Sequence, residues 1–497
     1  MSQKKTGPLI AAGWSILLFL FFNVCLHADQ AYTHTELTDR VDALFEDWDR
    51  IGSPGAAMGI FQDGRIIYAR GYGMADLDYN TPITPQTVFR VGSVSKQFTA
   101  MCIALLAEQG KISLDDDIRK YFPEMPAFEP AVTIRHMLHH TSGLRDYLIL
   151  QGLVGRSAGF FYTSPEVLDL LSRQQSLNFT TGDEFSYSNS GYFLLAQIVG
   201  RAGGMKTSGF ASANIFGVLG MENTHFHDDP KMIVKNRATG YLPREEGGFK
   251  IHTTQLDMIG DGGIFTTIED FFKWDQNFYD NKLGRSSQDL IDQVQTPRKL
   301  NDGRENNYAF GLFIDRYRGL KTVSHGGSFV GYKAHYLRFP YQRFSVVIMA
   351  NCGTFNPGKI ANEIADIFLE KQFTEPPLAR EKAPLEAAPK FLDLPDKELK
   401  AFVGNYYSSE LDATAVIRMG EKGLILKLGR HESALSPISS HAFLSTYVND
   451  DAYSLGARKM EFSHRKNEND ISFVMSAEDI HDLRFVKRNC VPDKKNP

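Results

Sequence analysis

Phe89-Arg90-Val91-Gly92-Ser93-Val94-Ser95-Lys96-Gln97-Phe98-Thr99-Ala100 is the stretch on which the reading of this 497-residue chain turns. Downstream of Ser93 the apolar residues Phe98, Met101, Cys102, Leu105 and Leu106 recur at helical spacing, and Gly110 closes the run. The spacing predicts a helix starting near Ser93. Ser93 and Lys96, three residues apart, then share one face with their Cβ atoms about 5–6 Å apart. A helix N-terminus disfavours added positive charge, so a partly desolvated lysine there has a lowered pKa and can accept the serine proton. Taken alone, the pair reads more simply as a serine cap beside a solvated lysine, because Ser-x-x-Lys occurs by chance in many chains.

Two other short pieces carry chemistry. Tyr187-Ser188-Asn189 precedes an apolar helix expected from about Tyr192. A phenol beside a cation can relay protons, and an amide can both donate to a substrate carbonyl and hold a lysine. His325-Gly326-Gly327 precedes a strand expected over residues 331–338. The glycines let a substrate backbone approach closely, and the imidazole can orient a substrate carboxylate or the tyrosine. A loop tyrosine and a glycine-rich turn are the plainer readings of these two pieces.

In the order Ser-x-x-Lys, Tyr-x-Asn, His-Gly-Gly, the three pieces together resemble the serine β-lactamase and penicillin-binding superfamily, in particular its class C β-lactamase-like branch with esterases and D-aminopeptidases. Residues 70–76, His140-Thr141-Ser142-Gly143-Leu144 and Gly262-Gly263-Ile264-Phe265-Thr266-Thr267 fit the same pattern, so the resemblance covers roughly residues 35–370. It implies an α/β (α+β) domain, an antiparallel sheet flanked by helices. It also implies Ser93 as acylated nucleophile, Lys96 as its base, Tyr187 as proton relay and Asn189 as substrate-positioning amide. The backbone amides of Ser93 and Ser328 would form an oxyanion hole, with Gly326 and Gly327 leading into it. No metal or organic cofactor is implied. His325 stands where many β-lactamases of the family have a lysine; histidine is mostly neutral near pH 7, which turns the expectation away from carboxylate-bearing β-lactams.

The rest of the chain bounds these readings. Apolar residues make up 42% and charged residues 23%, ordinary for a folded protein, and the net charge of −5 offers no footprint for nucleic acid. Lys4 and Lys5, the apolar residues 9–22 and the small Ala28 read as a signal peptide over residues 1–28, with export to the periplasm or medium. The same stretch allows an uncleaved membrane anchor. Cys25, Cys102, Cys352 and Cys490 are too few for a disulfide scaffold. His136 and His140 have the spacing of a zinc pair but lack its glutamate, so no metal site is expected.

A proline-rich linker is read at residues 375–391, between a catalytic domain at 29–374 and a β-domain at 392–497. Residues 415–419 and 424–428 form a hairpin pattern, and further β-type runs near 443–447, 460–462, 471–475 and 483–486 predict a small antiparallel barrel or sandwich. That domain resembles the lipocalin-like modules that follow such catalytic domains. The expected function is an exported serine hydrolase that cleaves amide or ester bonds of a small molecule or short peptide, such as D-aminoacyl peptides, amides or carboxylic esters. A β-lactamase or DD-carboxypeptidase, and an inactive binder of cell-wall fragments, stand as alternatives. Oligomeric state is not legible.

Overall fold

The computed structural model describes residues 33–156, 161–377, 389–446, 457–464, 471–477 and 479–488. The signal segment, Cys25, Cys490 and most of the proline-rich stretch lie outside them.

Six antiparallel strands make the main sheet: β1 (Ala56–Gln62), β2 (Arg65–Tyr72), β3 (Phe313–Tyr317), β4 (Leu320–Phe329), β5 (Tyr332–Phe339) and β6 (Phe344–Ala350). Their order is β3-β4-β5-β6-β1-β2. Side chains alternate across a strand, so β1 and β6, neighbours inside the sheet and apolar but for Gln62 and Ser345, feed two cores. Met58, Ile60, Val346 and Ile348 pack with α1 (His34–Ala43) and α7 (Pro357–Leu369) on one face. Ala57, Phe61, Val347 and Met349 pack on the other, among α2 (Lys96–Glu108), α5 (Asn189–Gly203) and α6 (Ile268–Asn277). Residues 96–106 of α2 are all buried, the polar Lys96, Gln97 and Thr99 among them, so this helix is central.

Two expectations need correction. Ser93 lies in a 3₁₀ turn, Gly92–Ser95, and the α-helix begins only at Lys96. Ser95 Oγ donates to the Gly92 carbonyl at 2.6 Å and accepts from Ile264 N at 3.0 Å, which tightens that first turn. His325-Gly326-Gly327 is no turn ahead of a strand; it lies inside β4, paired to Tyr336, His335 and Ala334 of β5. On its other side β3 pairs only as far as Ser324, which leaves the edge from His325 to Phe329 open.

The C-terminal strands, from Gly404–Ser408 to Ile480–Arg488, close into an eight-stranded barrel in sequential order. Phe443, Phe462, Phe473 and Phe485 fill it. Leu150 and Leu153 of α3 (Tyr147–Leu153) and Leu170 of α4 (Ser164–Ser172) join the same apolar cluster, so the barrel is seated on the helix that follows Asp146. Cys102 and Cys352 are buried free thiols. Among the described residues no helix is long and apolar enough to cross a membrane.

Candidate active site

Two glycines allow the 3₁₀ turn to dock on the open edge of β4. Gly92 has φ +52°, and a Cβ there would stand 2.7 Å from Ser328 N; a Cβ on Gly327 would fall 2.0 Å from the Val91 carbonyl oxygen and 3.3 Å from Ser93 N. Only backbone fits between the two segments. The amides of Ser93 and Ser328 are thereby brought to the same spot. Ser93 is partly exposed there, at an open cavity that Arg90, Asn189, Phe329 and the apolar Leu256 and Met258 also line.

Lys96 lies beneath, fully buried. Its Nζ donates to Asn189 Oδ1 at 2.8 Å and to the Asp261 carbonyl at 2.8 Å, and stands 3.2 Å from Ser93 Oγ. The first two partners are carbonyl oxygens, which only accept. As a neutral amine, Lys96 therefore spends both N–H groups on them and turns its lone pair toward Ser93. Burial lowers its pKa to about 8, against the upward pull of the Asp261 and Asp146 carboxylates. Thr99 Oγ1 donates to the Gly260 carbonyl at 2.8 Å and ties the Asp261 segment to α2.

Asn189 is the first residue of α5, and its position is set by Asp146. One carboxylate oxygen, Oδ2, accepts from Asn189 N at 2.6 Å and from Asn189 Nδ2 at 2.8 Å, which points the amide oxygen at Lys96. The other, Oδ1, caps α3 through Leu148 N at 2.8 Å. A single carboxylate thus bridges two positive helix ends. Burial raises its pKa, while the Asn189 and Leu148 amides hold it down. Tyr147 extends the frame by donating to Asp261 Oδ2 at 2.9 Å.

The Tyr187 ring lies over Lys96 Nζ, 4.7 Å from centroid to nitrogen, and against His140 at 4.2 Å between ring centres. His325 closes the same aromatic nest, 6.2 Å from Tyr187 and 5.4 Å from Phe313. Its Nδ1 sits 2.6 Å from the Gly326 carbonyl, which can only accept, so Nδ1 carries the proton. Nε2 then accepts from Tyr308 OH at 2.9 Å. Both ring nitrogens have protein partners, and burial together with the Lys96 charge drives the pKa down to about 3. The imidazole is neutral. His136, His139 and His140 do not converge: His136 closes the Thr133 cap, His139 Nδ1 meets the Tyr308 carbonyl at 2.8 Å, and His140 Nδ1 accepts from Ser188 N at 3.1 Å.

The structure therefore brings Ser93, Lys96, Tyr187, Asn189, His325, Gly327 and Ser328 to one place. Gly326 faces away from the turn, toward His335. The sequence reading missed Asp146, Asp261, Tyr147 and Tyr308. Asp146 alone had a local signal, an aspartate directly before the apolar run Tyr147-Leu148-Ile149-Leu150.

A partly exposed serine and a buried lysine thus meet at the edge of an antiparallel sheet flanked by helices. The Beta-lactamase family model matches residues 41–369, and the chain belongs to that family. The D-aminopeptidase of Gluconobacter oxydans is 29% identical over 302 residues, 61% of this chain and 56% of that protein, so the chain spans little more than half of that relative. In fold, the octameric penicillin-binding protein homologue from Pyrococcus abyssi gives a TM-score of 0.58 at 24% identity over 91% of this chain and 98% of its own. The D-amino acid amidase of Ochrobactrum anthropi SV3 gives 0.55 at 22% identity over 67% and 97%.

Proposed function

We propose that this protein is a serine hydrolase that opens amide or ester bonds of small substrates through an acyl-enzyme on Ser93. The observation that carries the reading is the buried Lys96 Nζ, fixed by two carbonyl oxygens with its remaining direction toward Ser93 Oγ. Ser93 Oγ attacks the substrate carbonyl as its proton passes to Lys96. The developing oxyanion meets the Ser93 and Ser328 amides. The phenol of Tyr187, whose ring lies over Lys96, relays the proton to the departing amine or alcohol. Asn189 positions the substrate as well as the lysine, and water releases the acid.

The neutral, doubly engaged His325 supports substrates that do not depend on an ammonium at that position: D-aminoacyl amides and peptides, or carboxylic esters. The likeness to a D-aminopeptidase supports the first of these. Residues 1–28 support an exported protein.

The test is turnover of a D-aminoacyl p-nitroanilide and a p-nitrophenyl ester by wild type and Ser93→Ala. Wild-type kcat/KM should rise with pH through an apparent pKa near 8, because the base must first lose its proton. Ser93→Ala should fold and be inactive; a residual rate within about tenfold of wild type defeats the assignment. Acylation of Ser93 by a penicillin would move the reading to β-lactam and D-Ala-D-Ala chemistry.

A further inference from the structure

The residue before Asp146 is Arg145, whose guanidinium is wholly inaccessible to solvent. Its ion-pair partner is Glu410, which belongs to the barrel, in the turn between the strands Gly404–Ser408 and Ala413–Gly420. The remaining fork is filled from both sides. Nη1 donates to Gln174 Oε1 at 3.0 Å, and Nη2 to Ser176 Oγ at 2.8 Å and to the barrel's His481 carbonyl at 2.8 Å. Glu410 also accepts from Gln175 N at 2.9 Å.

From this anchor the backbone of Arg145 and Asp146, and then a run of hydrogen bonds, reach the site. Ser190 Oγ donates to the Arg145 carbonyl at 2.6 Å and accepts from Tyr147 N at 2.8 Å, locking the Arg145–Tyr147 backbone onto α5. Asp146, held between them, orients Asn189, and Asn189 holds Lys96. A second grip lies one residue before Tyr187, where Ser186 Oγ donates to Asp479 Oδ1 of the barrel at 3.2 Å. Seating the barrel does not need the charges, because Leu150, Leu153 and Leu170 already supply an apolar seam. A buried ion pair adds little net stability over apolar packing; where it is useful, it selects one register.

We propose that Glu410 of the barrel is a positioning residue of the active site, fixing Arg145 and, through Asp146 and Asn189, the orientation of Lys96. This rests on the reading of Lys96 as the base for Ser93. The barrel then completes the site from behind without touching substrate. Lys96 faces the carboxylates of Asp146 and Asp261, the neutral imidazoles of His140 and His325, and the rings of Tyr187 and Tyr192. Of these, Asp146 is the group Glu410 governs. Its attraction raises the Lys96 pKa, so loosening it moves the acidic limb of the rate profile to lower pH.

The experiment compares full-length wild type, Ser93→Ala and Glu410→Gln for p-nitrophenyl ester hydrolysis and for labelling by a fluorophosphonate probe, across pH. Glu410→Gln should keep the near-ultraviolet circular dichroism of wild type and lose about tenfold in kcat, with KM changed less than about twofold. Its acidic limb should shift downward. In an Asn189→Ala background it should add almost nothing, because both changes break one relay. Unchanged kcat and limb, or a full additive loss in the Asn189→Ala background, overturns the proposal. Should Glu410→Gln not fold, Arg145→Lys, which keeps the charge and gives up the fork, replaces it with the same criteria. Failure of wild type to label or turn over more than Ser93→Ala would instead overturn the functional reading on which the relay depends.

Discussion

At the scale of single residues, the site is defined by where charge is allowed. Lys96 is buried with two carboxylates in reach, whereas His325, on the far side of Tyr187, meets aromatic rings, the Gly326 carbonyl and the Tyr308 hydroxyl, and the charges that bear on it, Lys96 and His335, both disfavour its protonation. Its neutrality is built in by this surround, and restoring the lysine of the β-lactamases would not restore their chemistry. His325→Lys would bury an ammonium close enough to Lys96 for like-charge repulsion, without a carboxylate partner in the nest. We expect a loss of roughly 2–4 kcal/mol in stability, seen as a lower thermal midpoint, and no gain in penicillin hydrolysis. A tenfold gain in penicillin turnover would refute this account of the nest. Of the side chains that meet here, Ser93, Lys96, Tyr187 and Asn189 were legible because each lies in a short motif. Asp146 offered only a helix-cap signal, with no pointer to Asn189, and Asp261 and Tyr308 offered none: they meet the motif residues only in space, and Asp261 reaches Lys96 through its backbone carbonyl, to which side-chain identity gives no clue.

At the scale of elements, the decisive contact is a 3₁₀ turn against a strand edge. Glycines between apolar runs suggest a turn, which is one of the two readings the sequence leaves open for His325-Gly326-Gly327. Pairing with β5 overrides that local preference, and the early end of β3 opens the edge on which Gly92–Ser95 docks. The two glycines of β4 are not equivalent. A Cβ at Gly327 would collide with the Val91 carbonyl oxygen at 2.0 Å, whereas one at Gly326 meets only His335 Nδ1, at 3.6 Å. Gly327→Ala must therefore separate the Ser93 and Ser328 amides. We expect kcat to fall about 100-fold with KM nearly unchanged, against a much smaller loss for Gly326→Ala. Equal losses from the two substitutions would show that the amide pair is not what the glycine protects. Other elements were read closely: the strand expected over residues 331–338 and the barrel strands appear, because period-2 patterning and turn residues are local signals. The same runs pointed to a barrel or a sandwich, and the structure closes them into a barrel; its seat on α3 was out of reach of any local pattern.

At the scale of the whole molecule, the same preference for neutral burial recurs and makes the fold sensitive to acid. His139, His325 and His335 have pKa values lowered by burial to about 4, about 3 and about 4, and burial holds His140 well below the usual imidazole range. In the unfolded chain all four return to a pKa of about 6.5. Above that value neither state binds the protons, and the fold bears no penalty. As pH falls below it, the unfolded state protonates first while the folded state does not, so each histidine removes up to about 1.4 kcal/mol per pH unit until its folded pKa is reached. Their positions make this loss collective. His139 and His140 end the segment that packs on Tyr308, His325 lies on β4, and His335 lies opposite Gly326 on β5, so protonation presses on the core between the sheet and the site. The thermal midpoint followed by circular dichroism should be level from pH 8 to about 7 and then fall steadily toward pH 4.5. A second variant isolates the cause: His335→Gln, which removes one of the four titrating groups, should reduce the slope between pH 6 and 4.5 by about the share of one histidine. A midpoint that stays level through this range, or a slope that His335→Gln leaves unchanged, would show that these imidazoles are not held neutral by the fold.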